Sequence, residues 1–294
     1  MPSDEAKRFW DFLRTQQKDL GPSIEDWRKD DEHDEDLSSE PADVAFTAAP
    51  EVNGFWAVPT AARGGAAILY FHGGGYVVGS PISRRKTAGH VARAAAARAL
   101  IPRYRRAPEH PFPAAIEDGI AAFQWLTANG TDPARTVIMG DSAGGGLAVG
   151  TTLALRDRAL PLPAGVVTMS LWGDMTCSGG TMDSRAWTDM SCSREGLMEL
   201  AGYYLAGADP RHPLASPVFA DFTGMPPLLC LVGGDERLMD DSVRVVCAAG
   251  QAGSGATLHV SPWMQHVYPI FAGAFPEADA AIRLMGDWIK AHTL

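Results

Sequence analysis

The sequence predicts an α/β fold, a mostly parallel sheet with helices on both faces. Two observations carry this. Short, mostly apolar runs recur along the chain, the clearest of them wholly apolar and bounded by glycines, and helical patterns fall between them. A strand buried on both faces has no polar side to show, so it reads as a continuous apolar run.

The clearest such run is 66–71, and others stand at 98–101, 136–140, 165–170, 228–233 and 257–261. Before them, 43–49 and 54–58 read as paired strands, with Asn53-Gly54 as the turn signal. Helices are expected at 113–128, 143–156, 240–252 and 277–292. Pro113 suits a first helical turn, and Asn129-Gly130 a helix end. Residues 4–19 read as an amphipathic helix with Phe9, Trp10, Phe12 and Leu13 on its apolar stripe. The acidic run 30–36 reads as a solvated loop.

The chain has 294 residues, which suits one large domain with an insertion. Residues 43–294 are expected to form that domain. The rhythm breaks at 174–225, where a helix at 194–205 is set among loops. Together with the helical segment 1–42, this stretch is expected to form a cap. Candidate cap residues are Phe9, Trp10, Met182, Trp187, Met190, Leu197, Met198, Tyr203 and Tyr204, so the substrate expected is small and hydrophobic.

The net charge of −10 and the lack of a basic stripe argue against nucleic acid. No apolar run reaches the ~20 residues of a membrane span, and the first twenty residues are too charged for a secretory leader. The four cysteines, Cys177, Cys192, Cys230 and Cys247, form no C-x-x-C pair. The expectation is therefore reduced thiols in a cytoplasmic protein with no metal site.

The chemistry begins at Gly140-Asp141-Ser142-Ala143-Gly144, a G-x-S-x-G sequence. A nucleophilic serine must sit on a sharp strand-to-helix turn, where flanking side chains would crowd the backbone. In a chain this rich in glycine the pattern arises by chance roughly one time in five. Its setting, after an apolar strand and before an apolar helix, is what singles out Ser142. His72-Gly73-Gly74-Gly75 follows another buried strand, and chance supplies such a run in about one chain in a hundred of this composition. Three N–H groups, on Gly74, Gly75 and Ala143, are expected to bind an oxyanion. His72 precedes the serine, so it reads as a structural residue that ties down its loop.

An acid is expected just after strand 228–233. Asp235 is favoured there; Glu236, Asp240 and Asp241 are its rivals, and the last two suit capping of the next helix. The base is expected after the last strand, at His266. His259 lies within that strand, His292 in the final helix and His212 in the cap. Ser142, His266 and Asp235 would then form an acyl-transfer triad.

These residues resemble the hormone-sensitive-lipase-like (bacterial family IV) esterases of the α/β-hydrolase fold. The likeness covers about residues 66–290. It rests on His72-Gly73-Gly74-Gly75-Tyr76, on Tyr104-Arg105 with the stretch 107–115, on the serine motif through Gly145, on Pro226-Pro227-Leu228, and on Gly234-Asp235-Glu236 with Asp240-Asp241. The resemblance implies an eight-stranded sheet under a helical cap and the triad and oxyanion donors already named. It implies ester or lactone substrates with short to medium acyl groups, and no cofactor. It also brings in homodimers through the C-terminal edge strand, which some members form. Arg103 and Arg106 depart from the family pattern, as do, more mildly, Val267 and Tyr268. Three other activities fit the same motifs: lactone opening, amide hydrolysis and ligand reception without turnover. Retention of His266 counts against the last.

Overall fold

A computed structural model describes residues 1–16, 23–62 and 64–293. Eight strands form one sheet: β1 (Val44–Ala49), β2 (Gly54–Pro59), β3 (Ala67–Phe71), β4 (Arg98–Ile101), β5 (Thr136–Asp141), β6 (Gly165–Met169), β7 (Leu228–Gly233) and β8 (Ala256–Ser261). Their spatial order is β1-β2-β4-β3-β5-β6-β7-β8. β2 runs antiparallel to both its neighbours, and every other pairing is parallel. The chain thus steps from β3 outward to β4 and returns on the other side of β3 with β5. Such a reversal opens a crevice at the carboxyl ends of the two strands.

The helices are α1 (Asp4–Thr15), α2 (Ile24–Asp31), α3 (Arg85–Ala95), α4 (Ala114–Ala128), α5 (Ala143–Asp157), the single turn α6 (Thr181–Ser184), α7 (Arg194–Leu205), α8 (Met239–Gln251) and α9 (Pro276–Thr293). Successive strand side chains point to opposite faces, so the sheet feeds two cores. Ile68, Tyr70, Val137 and Met139 join Val91 of α3 and Met285 of α9 on one face. Leu69, Phe71 and Ile138 join Ile116 of α4, Leu147 of α5 and Val245 of α8 on the other.

Several expectations shift. The pattern at 4–19 is helical to Thr15, and residues 17–19 lie outside the described residues. Phe9 and Trp10 pack against Phe271 and Phe275, next to α9. The acidic run enters the last turn of α2 and a short 3-10 stretch (Glu32–Leu37) in place of an open loop. Helix α3 has no announcing pattern, because its buried side is Thr87, Ala88, Gly89, Val91, Ala92 and Ala95, a stripe of small residues with one valine. Asp240 and Asp241 lie inside the first turn of α8. They do not cap it: they accept the N–H groups of Gly180 and Gly173 and so fasten the insertion to that helix.

Candidate active site

Ser142 links β5 to α5 with φ +53° and ψ −121°, a conformation that L-residues rarely adopt and that costs roughly 1–3 kcal/mol. Backbone bonds hold it there. Its N–H donates to Met169 O at 2.8 Å, and its carbonyl accepts from Gly145 and Trp172, each at 3.0 Å. A Cβ at Gly144 would run into the carbonyls of Phe71 and His72, and one at Gly140 into the backbone of Gly144 and Phe71. The glycines of the motif are therefore clearances between β5, α5 and β3. The hydroxyl itself is half-buried.

Asp141, fully buried, ties this turn to the glycine loop after β3. Its carboxylate accepts from Tyr70 Oη at 2.9 Å, from Gly73 N at 3.0 Å and from Arg84 Nε at 2.9 Å. A buried carboxylate is tolerated when it is paired and fully hydrogen-bonded. Arg84 is the partner that no sequence signal announced. Gly74 and Gly75 have φ of +106° and +60°. Their N–H groups, and that of Ala143 at the start of α5, have no acceptor among the described residues. Backbone donors left unpaired beside a serine are what a developing oxyanion requires.

His72 is a brace for the same loop. Its ring stacks on Tyr104 with centroids 4.2 Å apart, its Nδ1–H donates to Gly73 O at 2.8 Å, and Tyr104 Oη donates to His72 O at 2.9 Å. Burial lowers its pKa to about 3, so the ring stays neutral.

His266 follows β8 and meets the serine. Its Nε2 lies 2.9 Å from Ser142 Oγ. The other ring nitrogen corrects the sequence reading: Nδ1 is 2.6 Å from Oε2 of Glu236, not from Asp235. Glu236 is fully buried, and its Oε1 accepts the Gly233 N–H at 2.8 Å. Asp235 is half-exposed. Its N–H donates to Met264 O at 3.1 Å, and its carbonyl accepts from Thr188 Oγ1, also at 3.1 Å. The backbone turns at 233–236, so Asp235, two residues past the strand, stays half-exposed while the longer side chain one position on is buried against the imidazole. Both acids satisfy the rule of an acid after β7, and nothing in the sequence separates them.

The base is held from several sides. Ser170 Oγ accepts the Val267 N–H at 2.8 Å, and Gln265 Oε1 accepts the Met190 N–H at 3.0 Å. Cys192 lies close enough to the imidazole to act on its charge. Burial lowers the His266 pKa, but the neighbouring Cys192 and Glu236 outweigh it and hold the value well above the ordinary one. Burial raises the pKa of the Cys192 thiol.

From above, α7 reaches the oxyanion loop. Leu200 Cδ1 would lie 2.6 Å from a Cβ on Gly75, and Tyr204 stacks on Tyr76 with centroids 3.7 Å apart. Among the described residues, no group of three or more His, Cys, Asp or Glu side chains is placed to hold a metal ion. No helix there is long and apolar enough to cross a membrane, and all four cysteines are free.

A family model described as an alpha/beta hydrolase fold matches residues 68–270. The chain belongs to that family. An acetyl-hydrolase of Streptomyces hygroscopicus is 44% identical over 81% of this chain and 79% of its own length. An esterase of Acinetobacter venetianus is 32% identical over 77% and 75%. A crystal structure of an esterase from the bacterial hormone-sensitive lipase family superposes with a TM-score of 0.95 at 40% identity, covering all of both chains. Another, of EstE5 soaked with p-nitrophenyl butyrate, gives 0.92 at 38% identity over 99% of each. Within the α/β hydrolases the chain is thus a hormone-sensitive-lipase-like enzyme, by family a serine carboxylic-ester hydrolase.

Proposed function

We propose that this α/β hydrolase cleaves small apolar carboxylic esters with short to medium acyl groups through an acyl-enzyme on Ser142. His266 serves as base and Glu236 as the acid that orients it. The observation that carries the reading is the continuous relay from Ser142 Oγ to His266 Nε2 at 2.9 Å and from His266 Nδ1 to Glu236 Oε2 at 2.6 Å.

In the first step the Ser142 oxygen attacks the ester carbonyl as its proton passes to His266 Nε2. The imidazolium donates Nδ1–H to Glu236, whose negative charge stabilises it. The carbonyl oxygen gathers charge and is met by the N–H groups of Gly74, Gly75 and Ala143. His266 then gives its proton to the departing alcohol. In the second half, His266 takes a proton from water, the hydroxide attacks the acyl-enzyme, and the carboxylic acid leaves as Ser142 is reprotonated.

Segments 1–42 and 174–225 act in this scheme as the cap. The contact of Leu200 with the glycine loop supports a lid role for α7, and it supports a short acyl pocket. That EstE5 was soaked with p-nitrophenyl butyrate makes the butyrate ester the natural first probe. The test is turnover on p-nitrophenyl acetate through decanoate beside matched anilides, with Ser142→Ala as the blank. The reading expects ester turnover that peaks at short chains and vanishes in the blank. Anilide turnover equal to ester turnover, or activity that survives Ser142→Ala, defeats it.

A further inference from the structure

Beside the oxyanion loop, on α2 and the segment 103–110, lies a cleft of about 270 Å3 whose lining is dominated by arginine. Arg28, Arg103, Arg105, Arg106 and His110 are set there against one carboxylate, Glu109. This concentration stands out on a chain of net charge −10.

Two of the four guanidiniums are already neutralised. Arg28 forms a two-pronged pair with Glu109 at 2.8 and 2.7 Å, which holds the Glu109 pKa down at about 2. Arg105 forks onto Asp118. Arg103 and Arg106 have no carboxylate partner among the described residues. Arg106 spends one N–H on Gly79 O at 2.6 Å, and Arg103 is exposed. Burial lowers the Arg106 pKa, and the repulsion of Arg28 and Arg103 lowers it further. Two arginines without a carboxylate thus line one cleft, and the guanidinium fork suits the oxygens of a tetrahedral dianion.

We propose that this cleft is a binding site for a phosphate-type oxyanion, held chiefly by Arg103 and Arg106. The walls of the cleft are also the braces of the glycine loop. Arg28 donates to Val77 O and Ala107 O, each at 3.0 Å, and Arg106 to Gly79 O. An anion that relieves the repulsion between Arg28, Arg103 and Arg106 therefore strengthens the support under residues 72–79.

The probe is inorganic phosphate near neutral pH. Binding is read by calorimetry and by thermal unfolding, against sodium chloride of equal ionic strength. Three variants are compared: Arg103→Gln, Arg106→Gln and, as a charge control distant in sequence, Lys290→Gln on α9. Arg103 makes no side-chain hydrogen bond among the described residues, so Arg103→Gln is expected to fold and to keep its esterase activity.

The result expected is saturable phosphate binding with a matching rise in Tm. Loss of one charge-assisted contact in Arg103→Gln weakens it about tenfold or more, and Lys290→Gln leaves it unchanged. A chloride effect equal to that of phosphate, or wild-type phosphate affinity in Arg103→Gln, overturns the assignment. Saturation by phosphate but not by a phosphomonoester such as glycerol phosphate names the free ion as the ligand; saturation by both names the phosphoryl group.

Discussion

Two turns at the carboxyl edge of the sheet do comparable work by different means. The turn at 140–144 presents the nucleophile and is dictated by backbone. A positive φ at Ser142 and clearances at Gly140 and Gly144 leave little choice of residue type. The turn at 233–236 presents the acid and is dictated by side-chain direction. Asp235 and Glu236 are both carboxylic acids one position apart, yet one is half-exposed and the other lies buried on the imidazole. The lesson is that steric demands write themselves into residue identity, whereas the aim of a side chain does not.

The largest expected effect tests the shared end point of both turns. Ser142→Ala or His266→Ala should lower kcat by about 10^6-fold while unfolding in denaturant stays near wild type. Residual turnover within a hundredfold of wild type would break the relay.

Next comes the contrast between the two acids. Glu236→Gln should cost about 10^4-fold in kcat, as expected when the base loses its orienting carboxylate. Asp235→Asn should stay within a few-fold. The opposite ranking in steady-state kinetics would restore Asp235 as the acid.

At the other turn, Asp141→Asn removes the buried carboxylate charge that Arg84 Nε meets at 2.9 Å and slackens the hold on Gly73. A loss of about 3 kcal/mol in chemical unfolding is expected. A change below about 0.5 kcal/mol would mean that the glycine loop does not depend on this network.

The pH profile sharpens the comparison further. His266 must be neutral to accept a proton, and its pKa is held above the ordinary value. Activity should therefore rise with pH along an acid limb lying above the usual histidine range. Glu236→Gln removes a charge that favours the imidazolium, so the limb of its residual activity should move to lower pH. An unmoved limb would assign that titration to another group.

The smallest effect concerns the cap. Leu200→Ala opens space over Gly75, and acyl preference should move a few carbons toward longer chains with a change of only several-fold in kcat/KM. An unaltered chain-length profile would separate α7 from the acyl pocket.

The core strands were legible because burial on both faces forces apolar runs, which stand out at 67–71 and 228–233. The small-residue helix α3 was not, since close packing on alanine and glycine leaves little hydrophobic period. Arg84, Ser170, Cys192 and Leu200 support the site from distant positions in the chain, and no local pattern ties them to it.

What the sequence determined by itself is the class of fold, the serine on its strained turn, the glycine loop beside it and the histidine after the last strand. These depend on residue types that local backbone geometry requires. Only the tertiary structure decided which of two neighbouring acids faces the histidine, which arginine partners Asp141 and what lies over the glycine loop. Those choices follow from directions and distances between segments far apart in the chain, and they exist only once the sheet has assembled.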